Sequence, residues 1–386
     1  MTRPFHSNKK IITMQNRRNF IKTAGALAAL PAINCMAGMP NIATTIPQSE
    51  HQQAQPSAAQ KAWMDLGFGM FIHWGVNTYY DTEWSDGTLD ISVINPSRLD
   101  TDHWCRVAKN AGMKYIVPVT KHHDGFCIWN TKYTRYSISH TPYKKDILAE
   151  IVNSANKHGL KVGIYYSSWD RHEKSHDENE WVYIEFMKNQ LHELLTNYGS
   201  IVEVWFDGFW KKQQNGWKQP IGDDAGENIE AAKMLRDEEF IQAWRNEGAY
   251  RWQIDHVYQF IKSIQPDCLV MNNATTSYPG VPLHPVDIRS GEKYTNPVAD
   301  RKVWTWLGRP KYFPLQIETT MSVKGNAQFP SGNWFWHEWD KSIATKEQVN
   351  QWRNTAAKME ANLLLNCGPD TDGQLRPEDV KVLGAL

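Results

Sequence analysis

The sequence predicts a (β/α)8 barrel, because short β-rich runs alternate with longer amphipathic stretches along most of the chain. The amphipathic stretches end in glycines that suit a helix C-terminus, such as Gly112 and Gly159. No early Gly-x-Gly-x-x-Gly phosphate loop is present, which favours a barrel over a dinucleotide-binding sheet. The predicted strands are 68–74, 114–120, 161–167, 201–207, 268–272, 313–319 and 361–366.

An eighth strand is needed to close this barrel, and the β-rich runs do not show it. The segments around Val286 or Trp304 are the candidates. A long polar stretch at about 211–250 follows the fourth predicted strand and indicates an insertion with helical content. Since active sites of such barrels lie on the loops after the strands, this insertion is either a surface excursion or a lid that shapes a pocket.

The first residues predict an export signal. Arg17 and Arg18 precede a weakly apolar run from Ala24 to Ala32, a pattern typical of twin-arginine signals. The run is shorter than the roughly 20 residues that span a bilayer, so no stable membrane insertion is expected. We therefore expect an exported, periplasmic bacterial protein with a signal peptide at 1–37, a solvated linker at 38–60 and the catalytic barrel at 61–386.

Composition argues against two classes of partner. The 386 residues carry 42 basic and 42 acidic side chains, and this balance gives no reason to expect nucleic acid or an anionic membrane surface. The cysteines show no metal-ligand spacing. The 18 tryptophans and 15 tyrosines fit either a large core or a sugar pocket, since flat rings pack against the apolar faces of sugars.

Ionisable and aromatic side chains follow four predicted strands, which indicates one shared site. One chemistry that fits is metal-dependent hydrolysis, with His73, His122, His123 and Asp207 as ligands. Adjacent histidines on an extended segment point apart, which argues against it. The other is glycoside hydrolysis by two carboxyl groups in an aromatic-walled pocket. Asp207 is the candidate nucleophile because it ends an apolar strand beside Trp205 and precedes Gly208.

Five motifs carry a resemblance to a known family. They are "FGMFIHWGVNTYYDTEW", "KYIVPVTKHHDGFCIW", "GLKVGIYYSSWD", "VEVWFDGFW" and "NLLLNCGPDTDG", in order from about Trp63 to Gly373. Together they resemble the α-L-fucosidases of glycoside hydrolase family 29. The resemblance implies a retaining exo-glycosidase that releases terminal α-L-fucose from a fucosylated glycan, with no metal or other cofactor.

The resemblance also implies roles for individual residues, with Asp207 as the nucleophile. Core packing is the alternative for Trp84, and a strand-capping pair bonded to backbone is the alternative for His122 and His123. Tyr165 is expected to point away into packing, because neighbours on a strand alternate. The expected substrate-binding residues are His73, Glu83, Trp84, His122, His123, Tyr166, Trp205 and Trp334, with Trp336 and Trp339 as further candidate walls of the pocket.

Two glutamates compete for the role of general acid/base. Glu292 completes a D-x-x-x-x-E pattern with Asp287 that resembles the family's acid. Glu318 ends a predicted strand and resembles the family's "WE" segment. Glu83 or a carboxylate of the insertion stays open as a third choice, and a structural contact is the alternative for each glutamate.

Two departures from the family pattern are visible. The segment "MNNAT" stands where relatives often have N-D-R, and Arg289 is the candidate substitute for the missing arginine. The chain stops at "VKVLGAL", so we expect no C-terminal β-sandwich in it. A catalytically silent, fucose-binding relative is therefore the alternative function, beside a metal-dependent hydrolase.

Overall fold

The computed structural model describes residues 54–208, 253–273, 285–296, 300–306, 309–325 and 332–386. The strands within these ranges are β1 (Phe68–Ile72), β2 (Tyr115–Lys121), β3 (Lys161–Ser167), β4 (Ile201–Asp207), β5 (Leu269–Asn273), β6 (Ile288–Glu292), β7 (Val303–Trp306), β8 (Arg309–Tyr312), β9 (Leu315–Thr320) and β10 (Asn362–Asn366). Eight of them close into a parallel barrel in the order β1-β2-β3-β4-β5-β6-β9-β10. The predicted (β/α)8 class is confirmed.

The strand that the sequence left unassigned is β6, directly after Val286. Its sequence, IRSGE, contains one apolar residue, so no hydrophobic run marks it. Trp304, the other candidate, lies in an antiparallel hairpin of β7 and β8 outside the barrel. This hairpin is inserted between two neighbouring barrel strands, β6 and β9.

The described helices are α1 (Ala58–Met64), α2 (Val76–Tyr79), α3 (Thr101–Asn110), α4 (Ile147–His158), α5 (Ser175–Glu178), α6 (Glu180–Asn197), α7 (Ile254–Ile264), α8 (Lys346–Lys358) and α9 (Pro377–Leu383), with 3-10 turns at Ile91–Val93 and Ile138–His140. Gly159 ends α4 in the left-handed conformation, as predicted. Within the described ranges, none of these helices has the length and apolarity that a membrane crossing requires.

The amino-terminal boundary of the barrel domain needs a correction. Ser57 caps α1 by accepting a hydrogen bond from the Gln60 backbone, and the Gln60 side chain bonds back to Ser57. The predicted linker at 38–60 therefore overlaps the first turn of α1. The predicted export signal and the insertion at about 211–250 lie outside the described residues.

Two hydrophobic layers follow from the alternation of side chains along each strand. On β4, Trp205 packs inside the barrel, whereas Val204 and Phe206 pack outside it against the helices. Trp63 of α1 joins the inner layer and donates its indole N–H to the Glu203 carboxylate at the amino-terminal end of β4. That end of the barrel is therefore closed by a side chain, and the site lies at the other end.

Candidate active site

Asp207 is the last residue of β4, at the carboxyl-terminal rim of the barrel. Its Oδ2 accepts a hydrogen bond from the Tyr165 hydroxyl (2.8 Å). Its Oδ1 accepts from the backbone N–H of Gly208 (2.9 Å) and from Asn273 Nδ2 (3.5 Å). Gly208 has φ +75°, and a Cβ there would lie 2.6 Å from Trp169 Cβ, so the turn after Asp207 requires glycine.

Glu292 ends β6 on the same rim and faces Asp207 across Asn273. Asn273 Nδ2 donates to Glu292 Oε2 (2.8 Å) as well as to Asp207 Oδ1 (3.5 Å). The sum of these two distances limits the separation of the two carboxylate oxygens to about 6.3 Å. Retaining glycosidases hold their carboxyl groups about 5–5.5 Å apart, and inverting ones about 6.5–9.5 Å. The bound, which applies to this one pair of oxygens, is compatible with the retaining arrangement.

The surroundings of Asp207 act on its ionisation in two opposite directions. Burial raises the pKa of Asp207 to about 7, and the nearby Glu292 raises this pKa as well. The hydrogen bonds from Tyr165, Gly208 and Asn273 lower the same pKa and stabilise the ionised form of Asp207. Asp207 can therefore exist in both its protonated and its ionised form near neutral pH.

Glu318, the rival acid, lies one layer deeper in the barrel. Its Oε1 accepts from the Trp205 indole (3.0 Å), and its Oε2 accepts from the Ser290 hydroxyl and the Gly291 N–H (both 3.0 Å). The side chain has no exposed surface, and burial raises its pKa well above the ordinary value. Glu318 is therefore placed to support the site from below, whereas Glu292 lies beside Asp207 at the rim.

Trp205 also belongs to this deeper layer. Its indole N–H is used by Glu318, and its ring stacks against the Tyr165 ring at 5.1 Å and 19°. Only 3% of the residue is exposed. Trp205 thus supports Tyr165, the residue that contacts Asp207, and the expected direct contact with substrate is not favoured by this position.

The expected orientation of the two neighbouring tyrosines is wrong. Tyr165 points into the barrel and bonds Asp207, whereas Tyr166 points outward, donating to Gln190 Oε1 (2.7 Å). Lys121 donates to the Tyr166 hydroxyl (2.9 Å) and forms a fully buried ion pair with Asp170 (2.9 Å). The two side chains do alternate along β3, as expected, but Tyr165 rather than Tyr166 is the inward one.

His73 enters the site with a defined tautomer. Asn366 donates from its Nδ2 to the Trp334 carbonyl (2.7 Å), which leaves Asn366 Oδ1 as an acceptor. His73 Nδ1, 2.8 Å from this oxygen, must therefore carry the proton. His73 Nε2 therefore carries a lone pair. Burial lowers the pKa of His73 to about 3, which keeps the ring neutral. The ring stacks on Trp334 at 5.1 Å and 28°, so Trp334 lines the site as expected.

His122 and His123 both face the site, with ring centroids 4.2 Å apart. They follow the end of β2 in a turn, so strand alternation does not separate them. The Ser167 hydroxyl donates its proton to the Trp169 carbonyl, so the same hydroxyl oxygen accepts a hydrogen bond from His123 Nδ1 (2.7 Å). The other ring nitrogen, His123 Nε2, lies 3.6 Å from Asp207 Oδ2. Burial lowers the pKa of both histidines well below the usual value.

Glu83 anchors the loop that carries Trp334. Its Oε2 accepts from the Trp334 N–H (2.9 Å), and its Oε1 accepts from the Phe335 N–H (3.0 Å) and from His337 Nε2 (2.8 Å). Glu83 is therefore a positioning residue for this wall of the pocket. Trp84 is half-buried with its ring 6.1 Å from that of His123, so the structure brings it to the site as well.

Sequence reasoning missed Asn273 and Asn366, two amides at strand ends. Asn273 bridges the carboxyl pair, and Asn366 sets the tautomer of His73. Both occupy the inward positions of strands whose deeper residues are apolar, Met271 and Leu364. Counting two residues forward along the strand from an inward core residue is the signal that could have found them.

The candidate substitute arginine lies elsewhere. Arg289 points outward from β6 and pairs with Asp300 through both guanidinium nitrogens, at 2.7 and 2.8 Å. Asp287 accepts from the Tyr258 hydroxyl (2.8 Å) and pairs with Lys262 (2.7 Å). Neither residue contacts the carboxyl pair through these bonds, so the predicted replacement by Arg289 is wrong.

Metal binding was the competing hypothesis for the histidine cluster. In the part of the chain that the structure describes, no group of three or more His, Cys, Asp or Glu side chains is arranged to hold a metal ion. His73, His122 and His123 instead form a neutral, aromatic-lined cluster beside Asp207. Such rings can donate and accept hydrogen bonds, which suits sugar hydroxyls.

Known proteins share this sequence pattern. The profile of the family described as Alpha-L-fucosidase matches residues 89–386. Alpha-L-fucosidase 1 of Arabidopsis thaliana is 28% identical over 342 residues, covering 85% of this chain and 58% of the plant protein. Putative alpha-L-fucosidase 1 of Oryza sativa subsp. japonica is 37% identical over 187 residues, covering 48% of this chain and 36% of that protein.

Solved structures share the fold. A glycoside hydrolase 29 family member from an unknown rumen bacterium is 28% identical with a TM-score of 0.66, covering 86% of this chain and 56% of that one. A putative alpha-L-fucosidase from Bacteroides ovatus ATCC 8483 is 25% identical with a TM-score of 0.67, covering 86% of this chain and 54% of that one. The chain thus spans about half the length of several relatives it matches. It belongs to the alpha-L-fucosidase family, glycoside hydrolase family 29.

Proposed function

We propose that this chain is a retaining α-L-fucosidase that removes terminal α-L-fucose from fucosylated glycans. The observation that carries the proposal is the pair of Asp207 and Glu292, joined by one amide of Asn273. Asp207 Oδ1 and Glu292 Oε2 lie at most about 6.3 Å apart, which is compatible with double displacement. The family membership and the neutral histidine cluster beside the pair support it.

In the first step, the ionised Asp207 carboxylate attacks the anomeric carbon as the glycosidic bond breaks. Glu292 gives its proton to the departing oxygen, so the aglycone leaves as a neutral alcohol. In the second step, Glu292 takes a proton from water, and that water oxygen displaces Asp207 from the anomeric carbon. Two inversions give net retention, and both carboxyl groups return to their starting protonation states.

The surrounding residues bind and orient the sugar. Tyr165 and Asn273 hold the Asp207 carboxylate in place through its two oxygens. His73 Nε2 accepts from a sugar hydroxyl, because Asn366 fixes the proton on Nδ1. The Trp334 ring offers an apolar wall for the C6 methyl group of fucose.

The test is hydrolysis of 4-nitrophenyl α-L-fucoside by the protein and by its Asp207→Ala variant. We expect kcat to fall by about 10⁴-fold or more, with unchanged thermal unfolding. Added azide should restore turnover and give the β-fucosyl azide, because azide replaces the missing nucleophile. Full activity in the variant would contradict the mechanism.

Two further outcomes separate the alternatives. Binding of fucose without turnover by the well-folded wild-type protein would identify a catalytically silent relative. Loss of turnover on treatment with EDTA, restored by a divalent cation, would support the metal-dependent alternative.

We also propose export to the periplasm, supported by Arg17 and Arg18 before the apolar run. The protein should appear in the periplasmic fraction of an expressing bacterium. Replacement of both arginines by lysine should retain it in the cytoplasm. Periplasmic recovery of the double variant at the wild-type level would contradict a twin-arginine route.

A further inference from the structure

An exposed tryptophan lies on the same face of the barrel as the site. Trp339 belongs to the stretch between β9 and α8, which follows the carboxyl-terminal end of a barrel strand. Its side chain is large and apolar, yet the residue is 44% exposed. Exposure of one apolar residue needs no explanation by itself. The informative feature of Trp339 is the way its ring is held.

Two contacts fix the ring of Trp339. Its indole N–H donates to Asp81 Oδ2 at 3.1 Å. The imidazole of His337 lies against it, with centroids 4.9 Å apart and planes 31° apart. A tryptophan held by its N–H and by a neighbouring ring is immobilised before any ligand arrives, which lowers the entropy cost of binding.

The same contacts connect Trp339 to the wall of the pocket. His337 lies between two carboxylates, with Nδ1 2.6 Å from Asp81 Oδ1 and Nε2 2.8 Å from Glu83 Oε1. Burial lowers the pKa of His337, but the hydrogen bonds to Glu83 and Asp81 outweigh it and raise this pKa above the usual value. Glu83 in turn holds the backbone N–H of Trp334.

Hydrogen bonds connect these residues into one series, which we call the rim clamp: Trp334, Glu83, His337, Asp81 and Trp339. Its inner end stacks on His73 beside the fucose-binding histidines. Its outer end presents an indole to solvent. A terminal fucose bound at the inner end would carry its aglycone outward from the pocket, since an exo-acting enzyme leaves that side of the substrate in solvent.

We propose that Trp339 is the platform of a subsite for the sugar to which the terminal fucose is attached. The ligand class is a pyranose ring, whose apolar C–H face stacks on the indole. The assignment rests on the proposed function, because it needs a glycan whose fucose occupies the pocket. Glu83, His337 and Asp81 hold the platform, and Trp339 is the one of these four residues that contacts the second sugar.

The experiment compares substrates with and without an aglycone sugar. Initial rates are measured for α-L-fucosyl fluoride and for α-L-fucosyl disaccharides of α1,2, α1,3, α1,4 and α1,6 linkage. The variants are Trp339→Ala, Trp339→Phe and a matched control, Trp181→Ala. Trp181, on α6, is 67% exposed but belongs to no part of the rim clamp.

For Trp339→Ala, kcat/KM with the preferred disaccharide should fall about 3- to 10-fold further than kcat/KM with the fluoride. Trp339→Phe should recover part of this difference, and Trp181→Ala should show none. An equal loss with both substrates would overturn the subsite, because Trp339 would then act only by supporting the pocket. An unchanged disaccharide rate would overturn it as well.

A binding measurement separates this proposal from the proposed function. If the wild-type protein turns over neither substrate, calorimetry of fucose and of the disaccharides tests the subsite by itself. Tighter binding of a disaccharide than of fucose, with the difference abolished in Trp339→Ala, would support the subsite while the proposed activity fails. Equal affinity of fucose and all disaccharides would overturn the subsite.

Discussion

Strand β4 carries two inward-facing carboxyl groups that differ in what surrounds them. Glu203, near the amino-terminal end, accepts from Trp63 and from Gln316 Nε2 (3.1 and 3.2 Å) and has no exposed surface. Asp207, at the other end, is 8% exposed and faces Glu292 across an amide. Burial is the first cause that raises the pKa of both groups to about 7.

A raised pKa therefore does not by itself identify a catalytic carboxyl group in this molecule. Glu203 is surrounded by fixed donors in a closed layer, so it can exchange no proton with a substrate. Asp207 is partly exposed and has a second carboxyl group, Glu292, on the other side of the Asn273 amide. The neighbouring carboxyl group and the partial exposure of Asp207, rather than its pKa shift, distinguish the rim end of β4 from the closed end.

The largest effect is expected at the partner carboxyl group. Glu292→Ala should lower kcat for α-L-fucosyl disaccharides by about 10²- to 10⁴-fold, because the departing sugar oxygen needs a proton. The loss with 4-nitrophenyl α-L-fucoside should be smaller in the first step, since nitrophenolate leaves unprotonated. Added azide should now give the α-fucosyl azide, by attack on the glycosyl-enzyme.

The matched control for this change is Glu318→Gln, in the layer below. This substitution keeps the shape of the side chain. The ratio of kcat for disaccharides to kcat for 4-nitrophenyl α-L-fucoside should therefore stay as in the wild-type protein. If Glu318→Gln instead shows the dependence expected of Glu292→Ala, the assignment of the acid must move to Glu318.

A smaller effect is expected from the two tyrosines of β3. Tyr165→Phe removes a hydrogen bond that lowers the pKa of Asp207. This pKa should therefore rise, and the acidic limb of the pH profile of kcat/KM should move to higher pH, with activity lowered about 10- to 100-fold. Tyr166→Phe should leave the profile in place.

The outward tyrosine should affect stability instead. Tyr166→Phe removes one bond to Gln190 and one from the buried Lys121, so the free energy of unfolding should fall by about 1–3 kcal/mol. Urea unfolding measures this change. A shifted pH profile in Tyr166→Phe, with none in Tyr165→Phe, would reverse the orientation of β3 described above.

The smallest effect on activity is expected at the closed end of the barrel. The folded-state pKa of Glu203, about 7, exceeds the roughly 4.3 of an unfolded glutamate, so the folded protein binds the additional proton. The contribution of Glu203 to stability must then decline as pH rises from about 4.3 to about 7. Glu203→Gln should remove this decline.

Urea unfolding of Glu203→Gln and wild type, across that pH range, checks the sign. The stability of the variant relative to wild type should increase by up to about 3 kcal/mol as pH rises through the window. Its kcat should stay within about twofold of wild type. A large loss of kcat with intact folding would show that the closed end contributes to catalysis.

Much of the fold was predictable because the barrel strands are short apolar runs between amphipathic helices. β6 was not evident because its sequence, IRSGE, has only one apolar residue. Its outward Arg289 is neutralised by Asp300, and a sequence pattern does not show such a contact between separate segments. The segment around Trp304 was considered only as a barrel strand, whereas it lies in the separate hairpin of β7 and β8.

The site was predictable where motifs fix single residues, as for Asp207 and Glu292. Tyr165 was misplaced because parallel strands are apolar on both faces, so IYYS shows no inward and outward pattern. Glu83 was expected to bind sugar, and its use as an anchor for Trp334 depends on a loop more than 240 residues away in sequence.

The most direct test of the central claim is to trap the glycosyl-enzyme. The wild-type protein is incubated with 2-deoxy-2-fluoro-α-L-fucosyl fluoride, which forms the covalent intermediate quickly and hydrolyses it slowly, and is then digested and sequenced by mass spectrometry. One fluorofucosyl group per chain, on Asp207, is the expected result. A label on Glu203, Glu292 or Glu318, or no label on an enzyme that still turns over 4-nitrophenyl α-L-fucoside, would contradict it.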